Sequence, residues 1–257
     1  MIWDSATKYL HEASGEMPPI PQNPSEWPLA WKQIVFKEYP RFPQVILPPP
    51  RLSTSPFDTI LMARKSARSF VNLSTLSNYA LSNILHLGAG ISHGSSNSSF
   101  SSRYYPSGGG RYPLELYVSF RGNETTERGT YHYNVARHTL EQLSGADGDD
   151  AIRSLPSYPW VKDAALIGII SFVYQRTTQK YGHRGYRFGL IEAGAMLHNF
   201  YIAASMENFG CCGIGVNNDL AISNILDLND DEEGVLLNFA LGPFVSSTDM
   251  VNESVYE

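Results

Sequence analysis

An α+β fold is what this sequence predicts, on three observations. The run Ala164–Tyr174 is apolar almost throughout and rich in isoleucine, the pattern of a central strand covered on both faces. Leu114, Leu116, Val118 and Phe120 alternate with Glu115, Tyr117 and Ser119, the period of two that marks a half-buried strand. From Gly189 to Phe209, Leu190, Gly194, Leu197, Tyr201 and Ala204 recur at spacings of four, three, four and three, and the other faces are also mostly apolar. A helix apolar all round is buried, inside a domain or in a dimer. Strands and helices mix without regular β-α-β alternation, which argues against a doubly wound sheet.

The elements follow in order. Residues 1–51 carry PPIPQNP, EYPRFP and LPPP, too much proline for long helices. Trp27, Trp31 and Phe36 make this segment an arm that packs on a body formed by residues 52–257. Pro56–Ala67 reads as a short helix with Phe57, Ile60, Leu61 and Arg64 on one face. Ser74 can cap a helix over Thr75–Leu87 that Gly88 ends. Ser92–Ser102 is a polar loop, Gly129–Tyr133 a short strand, His138–Leu143 a helical turn and Ser144–Asp150 a turn-rich insertion. Gly210 stops the long helix. Asn218–Leu226 is a further helix, and Gly234–Leu241 a last strand before Gly242 and Pro243.

Composition narrows the function. The chain has 257 residues, 42% hydrophobic and 17% charged, with net charge −6, enough apolar material for one large domain. The mild acidity and the lack of a basic tract argue against nucleic acid. No apolar run reaches membrane-spanning length, and the first residues lack the basic-then-apolar order of a signal peptide. The two cysteines, Cys211 and Cys212, are sequence neighbours, which suits neither an ordinary disulfide nor a metal site. The histidines show no metal-ligand spacing, so no metal is expected, and a reducing cytoplasm fits. No G-x-G-x-x-G follows a strand, so a Rossmann site lacks support.

Three clusters could carry chemistry. In Arg64-Lys65-Ser66-Ala67-Arg68, an extended backbone would turn Arg64, Ser66 and Arg68 to one side, two guanidinium forks and a hydroxyl suited to phosphate or a pyrimidine carbonyl. A solvated basic turn is the plainer reading. In RYYPSGGGRYP, Pro106 fixes a torsion, and Gly108, Gly109 and Gly110 present bare backbone to a flat ring or an anion; a tight turn is the alternative. In KYGHRGYR, Lys180 must shed a proton more readily than the usual pKa of about 10.4 allows if it is to act as a base. Burial and neighbouring Arg184 and Arg187 would push it that way, and Tyr181 could share the proton. A charged surface loop competes with this reading. Glu192, inside an apolar helix, needs a partner, which Arg184 or Arg187 could supply as a structural salt bridge.

Together, RKSARSF, YPSGGGRYPLELYV and KYGHRGYRFGLIEAG resemble the nitroreductase superfamily of flavoproteins. The likeness is closer to its SagB-type branch, the azoline oxidases (dehydrogenases) of thiazole- and oxazole-modified peptide pathways, and within it to the oxidases of microcin-type synthetases. The third segment is the most specific, because ordinary nitroreductases lack it. Arg111 departs from the pattern, since relatives often carry a small or apolar residue after the glycines.

The resemblance implies a nitroreductase-like mixed sheet flanked by helices, in a homodimer with FMN at the interface. Arg64, Ser66 and Arg68 would contact the phosphate, ribityl chain and pyrimidine edge, and Arg68 would stabilise the reduced, anionic flavin. Pro106, Ser107, Gly108 and Gly109 would lie against the isoalloxazine of the partner subunit. Lys180 and Tyr181 match the pair that removes a proton while an azoline is oxidised to an azole, and Arg184 is placed with the flavin. The implied partners are a cyclodehydratase and a leader-bearing precursor peptide, with oxygen as the electron acceptor. Two alternatives stay open: an NAD(P)H-dependent nitro or quinone reductase, and a non-catalytic scaffold subunit of a synthetase complex.

Overall fold

The β-branched and aromatic runs pair into one six-stranded sheet in a computed structural model that describes residues 55–71, 76–94, 101–156, 158–215 and 218–244, with fragments of the first 28 (9, 11–13, 23–26 and 28). In chain order the elements are α1 (Pro56–Ala63), α2 (Asn78–Ala89), β1 (Ile91–His93), β2 (Ser102–Arg103), β3 (Leu114–Phe120), β4 (Gly129–Asn134), β5 (Thr139–Ser144), α3 (Ala146–Ser154), β6 (Leu166–Val173), α4 (Gln175–Tyr181), α5 (Arg184–Met206), β7 (Gly210–Ile214), α6 (Asp219–Ile225) and β8 (Glu233–Gly242). The sheet runs β5-β4-β3-β6-β8-β7 with every ladder antiparallel. Parallel pairing among the described residues is confined to the bridge Ser66–Cys211 at the β7 edge. Thus the expected α+β class is present, in a sheet that is antiparallel rather than evenly mixed.

Both faces of the sheet are covered. On one, Ile84 and Leu85 of α2 and Met196 and Phe200 of α5 pack on Leu116, Phe172 and Phe239. Phe200 stacks on Phe239 with ring centroids 4.5 Å apart. Gly88 lets the helices approach, since a Cβ there would lie 2.2 Å from the Phe200 ring. It therefore sits inside α2 instead of ending it. On the other face, Ile152 of α3, Ile222 of α6 and Val161 pack on Tyr117, Ile167 and Ile169. Each such side chain contributes about 1.5–3 kcal/mol by leaving water.

This second layer explains a misreading of β3, which is buried on both faces apart from Glu115. Its polar residues are paired internally. The Tyr117 hydroxyl donates to Glu233 at 2.9 Å, and Ser119 donates to Asp149. Asp149 and Arg153, both buried, join α3 to the sheet through an ion pair of 2.7 Å. The Arg153 guanidinium also donates to Ala164 O at 2.7 Å. Burial brings its pKa down to about 10.

Other boundaries move for local reasons. The first helix ends at Ala63, so Arg64 begins the extended segment. Ser77 caps α2, its side chain accepting from Ala80 N–H; Ser74 and Thr75 lie outside the described residues. The ends of the expected Ser92–Ser102 loop pair as β1 and β2, and residues 95–100 lie outside the description. His138, at φ 53°, closes a hairpin turn, so Thr139–Ser144 is an edge strand and not a helical turn. The acidic stretch expected as an insertion forms α3, with Asp147 and Asp149 in its first turn. The long helix begins at Arg184, five residues early, and α4 precedes it. Strand β7 was missed because Gly210 and Gly213 hide it. Trp27, Trp31 and Phe36 of the arm lie outside the described residues. Within a described fragment, His11 Nδ1 lies 3.0 Å from the Tyr186 hydroxyl. No helix among the described residues is long and apolar enough to cross a membrane.

Candidate active site

The glycine loop is a tight turn just before β3. Gly109 and Gly110 sit at φ 65° and 63°, in the left-handed region that glycine enters at no steric cost, and Tyr112 follows at 44°. Ser107 closes the turn. Its carbonyl accepts from Gly110 N–H at 3.1 Å and its hydroxyl from Tyr112 N–H at 2.8 Å. The departure at Arg111 has a local use. Arg111 Nε donates to Arg176 O at 2.8 Å, Arg176 Nη1 donates to Tyr112 O at 3.3 Å, and Arg176 Nη2 pairs with Glu115 at 2.5 Å. Two arginines thereby clasp the loop to α4.

Helix α4 carries the Lys-Tyr pair. Lys180 Nζ lies 5.2 Å from the Tyr181 ring centroid, and that ring meets Phe188 edge-on at 5.1 Å. Both functional groups reach the loop: a Cβ on Gly109 would lie 2.1 Å from the Tyr181 hydroxyl and 3.0 Å from Lys180 Nζ. A Cβ on Gly108 would meet the Phe188 ring at 3.1 Å. The second and third clusters are therefore one constellation. Lys180 is exposed in the lone chain, without the burial expected of it, and Pro106 is exposed as well. Arg184 opens α5, exposed and without an ion pair among the described residues.

Glu192 is not held by an arginine. Five residues along an α-helix turn about 140° from the starting face, so Arg187 points to solvent while Glu192 points inward. Glu192 is 3% exposed, and its Oε1 accepts from Gly108 N–H at 3.0 Å. Burial pushes its pKa up, while the Gly108 N–H and the Ser107 hydroxyl pull it back. No hydrogen-bond partner reaches Oε2 among the described residues. Sequence reading noticed this carboxylate but not its partner, because the contact spans 84 positions.

The first cluster gathers near the other end of α5. Ser66 bridges to Cys211 at the sheet edge, which keeps the segment extended. Its hydroxyl lies 3.0 Å from that of Tyr201, which also accepts from Gly213 N–H at 2.9 Å. The Arg64 guanidinium sits 5.4 Å from the Tyr201 ring centroid. Arg68 is exposed, and its charge reaches the Cys212 thiol. Burial pushes that thiol's pKa up, and Arg68 pulls it back. Neither Arg64 nor Arg68 makes an ion pair among the described residues, while the Ser66 hydroxyl is engaged by Tyr201. Tyr201, the shared partner, read in the sequence only as one member of an apolar stripe.

Phe188 and Tyr201 are thirteen residues apart on α5, about 20 Å at 1.5 Å per residue. Between them Leu190 and Ile191 are exposed, 46% and 68%. One chain thus presents a cationic cluster and a glycine-lysine-tyrosine cluster near opposite ends of α5. A cavity of about 570 Å³ between α2 and the β4–β5 hairpin, lined by Ser82, Tyr133 and His138, contains neither cluster. Among the described residues no three His, Cys, Asp or Glu side chains converge as metal ligands would.

Comparison with known proteins gives the following. The model of the nitroreductase family matches residues 61–242. Protein MJ1384 of Methanocaldococcus jannaschii, assigned by name to the nitroreductases, is 29% identical over 182 residues, 70% of this chain and 89% of that one. The microcin B17-processing protein McbC of Escherichia coli is 33% identical over 113 residues, 40% of each chain. Among solved structures, the E. coli microcin synthetase McbBCD complex with truncated pro-MccB17 bound superposes at a TM-score of 0.74 over 95% of both chains, at 19% identity. A nitroreductase-fold protein from Desulfovibrio desulfuricans, solved in complex with FMN, matches at 0.53 and 17% identity over 80% of this chain and all of its own.

Proposed function

The chain belongs to the nitroreductase family, and from that premise we propose that it is an FMN-dependent oxidase that converts thiazolines and oxazolines in a ribosomally made peptide to thiazoles and oxazoles. The observation that carries this reading is the convergence of Lys180 Nζ and the Tyr181 hydroxyl on Gly109, a base and an acid held against bare backbone. The partial likeness to McbC favours this branch over the nitro and quinone reductases.

FMN is the family's cofactor, and this chain's residues fit it. Arg64 and Arg68, without carboxylate partners among the described residues, and Ser66 suit its phosphate and polar edge. The glycine turn suits its flat ring, since a Cβ on Gly110 would meet nothing within 4 Å. When bound, FMN supplies the two-electron oxidising chemistry. The protein's own part is positional and protolytic. Arg64, Ser66 and Arg68 hold the anionic end. Lys180, aided by Tyr181, removes the proton from the azoline carbon next to the imine. The Tyr181 hydroxyl is oriented by the edge-on packing of its ring on Phe188.

A second copy of the chain would complete the site. The two clusters near opposite ends of α5 and the exposed Leu190–Ile191 face between them support a homodimer in which each flavin takes contacts from both protomers. A cyclodehydratase that makes the azoline, the precursor peptide, and oxygen as final acceptor complete the reading, with residues 1–51 as an arm on the catalytic body in the cytoplasm.

The test is mass spectrometry of the precursor peptide after treatment with the wild-type protein or with Lys180→Ala. Wild type should remove two hydrogens, about 2 Da, per ring. The variant should retain FMN and leave the azolines unchanged. Azole formation at the normal rate by the variant would refute the assignment.

A further inference from the structure

Three consecutive glycines lose more conformational freedom on ordering than any other tripeptide, so a loop built of them needs anchors. The Gly108–Gly110 turn has two kinds. On its C-terminal side the Arg111–Arg176 clasp ties it to α4. On its N-terminal side the tether is a buried carboxylate. Glu192 is surrounded on α5 by buried Gly189, Ala193 and Met196, where an apolar side chain would pack without desolvating a charge. Its hydrogen bond is directed to Gly108 N–H. The next residue, Gly109, is the one at which a Cβ would stand 2.1 Å from the Tyr181 hydroxyl and 3.0 Å from Lys180 Nζ. A single dipeptide is thus held at Gly108 by Glu192 and meets the Lys-Tyr pair at Gly109.

We infer that Glu192 is a positioning residue: by accepting from Gly108 N–H it sets the height and register of the glycine turn against Tyr181 and Lys180. Its catalytic consequence rests on the function proposed above; its structural consequence does not. Loss of the acceptor frees Gly108 N–H and lets the turn slide away from the Tyr181 hydroxyl. The carboxylate's charge is not what the task requires. Any side chain of the same length with an acceptor oxygen performs it.

The experiment compares Glu192→Gln, which keeps an acceptor oxygen, with Glu192→Leu, which does not. Two quantities are read: hydrogen exchange at the Gly108 amide in the full chain, and kcat and KM for azoline oxidation by the FMN-loaded protein. In Glu192→Leu, Gly108 exchange should rise about tenfold, the factor lost with one hydrogen bond to a neutral acceptor. kcat should fall at least about tenfold while KM stays within about threefold, as expected when only orientation is lost. Glu192→Gln should stay within about threefold of wild type in both. Unchanged Gly108 exchange in Glu192→Leu, or a Glu192→Gln variant as defective as Glu192→Leu, would overturn the inference. If Glu192→Leu does not fold, Glu192→Gln decides alone: protection of Gly108 near the wild-type level upholds the inference, and exchange as fast as in an unstructured peptide overturns it. Wild-type protein that oxidises no azoline while Gly108 exchange still responds to Glu192→Leu would refute the proposed reaction and leave the tether standing.

Discussion

The Tyr181 hydroxyl lies so close to Gly109 that a methyl group on that glycine would stand 2.1 Å from the oxygen. The two residues are 72 positions apart, one in the turn before β3 and the other at the end of α4. Their contact follows from the pairing of β3 with β6 in antiparallel register, Leu114 opposite Phe172. This register brings the entrance of one strand beside the exit of the other. The sheet itself assembles the Lys-Tyr pair and the glycine turn.

Gly109→Ala should therefore be costly in two separable ways. The residue stands at φ 65°, where a Cβ costs about 1–2 kcal/mol, a fall of about 2–8 °C in Tm for a chain of this size. Its methyl must also displace the Tyr181 hydroxyl, and a 1 Å misplacement of a reacting group lowers kcat on the order of a hundredfold. Adding Tyr181→Phe removes the oxygen that is struck but not the backbone strain. The double variant should regain part of the lost Tm, as measured by calorimetry, and none of the activity. Equal Tm values for the single and double variants would show that the collision is relieved elsewhere.

Arg176 joins the glycine turn to α4 and to Glu115 at once. Arg176→Met should release the Tyr112 carbonyl and leave Glu115 with His132 as its remaining partner. Arg176 is 41% exposed on its side chain, so the loss of stability should be modest, about 1 kcal/mol. The loop should respond more: limited proteolysis within residues 104–113 should speed up, while Arg137→Met, on the distant β4–β5 hairpin, leaves it unchanged. Identical cleavage rates in wild type and Arg176→Met would show that the clasp carries no load.

How much of this could be read from the sequence depends on how local each contact is. The central strand β6 and the helix α6 were legible, because their patterns are encoded within a few residues. β3 was legible as a strand but misjudged as half-buried. Period-two polarity normally marks solvent, whereas here Tyr117 and Ser119 face Glu233 and Asp149 across the fold. Thr139–Ser144 failed for a related reason: an exposed edge strand has no buried face to print a pattern. Lys180, Tyr181 and the glycines were singled out by composition, and Arg64, Ser66 and Arg68 by alternation. The partners that give these residues their geometry, Glu192 to Gly108 and Tyr201 to Ser66, required the tertiary fold.

Asp149, in the first turn of α3, has no exposed side chain and lies between Arg153, Arg128 and Ser119. Asp149→Ala should strand the Arg153 charge in the interior, which costs about 3–5 kcal/mol when a buried pair loses one member. Asp150, at the exposed end of the same network, should cost less than about 1 kcal/mol when replaced by alanine. Denaturant titration of both variants separates the cases. Comparable midpoints would mean that water reaches Arg153 and screens it.

The His132–Glu115 contact predicts a window of pH in which it stabilises the fold. His132 Nε2 lies 3.1 Å from Glu115, and Nδ1 lies 2.9 Å from Glu141. The hydrogen bond with Glu115 raises the His132 pKa above its ordinary 6.5, although burial opposes it. For Glu115, burial alone would raise the pKa, but the His132 and Arg176 contacts outweigh it and leave the value below 4.5. A raised histidine contributes its full stability below the unfolded value and loses it as pH climbs through the folded one. A depressed carboxylate contributes above its unfolded value and loses stability as pH falls through the folded one. Both contributions coexist between 4.5 and 6.5, the two reference values. The stability difference between wild type and His132→Gln, measured by denaturant titration across the pH range, should peak in that interval. It should shrink on the alkaline side as His132 gives up its proton, and in acid as Glu115 takes one. A difference that instead grows steadily toward alkaline pH would mean that His132 is held neutral in the folded protein, with the ion pair absent.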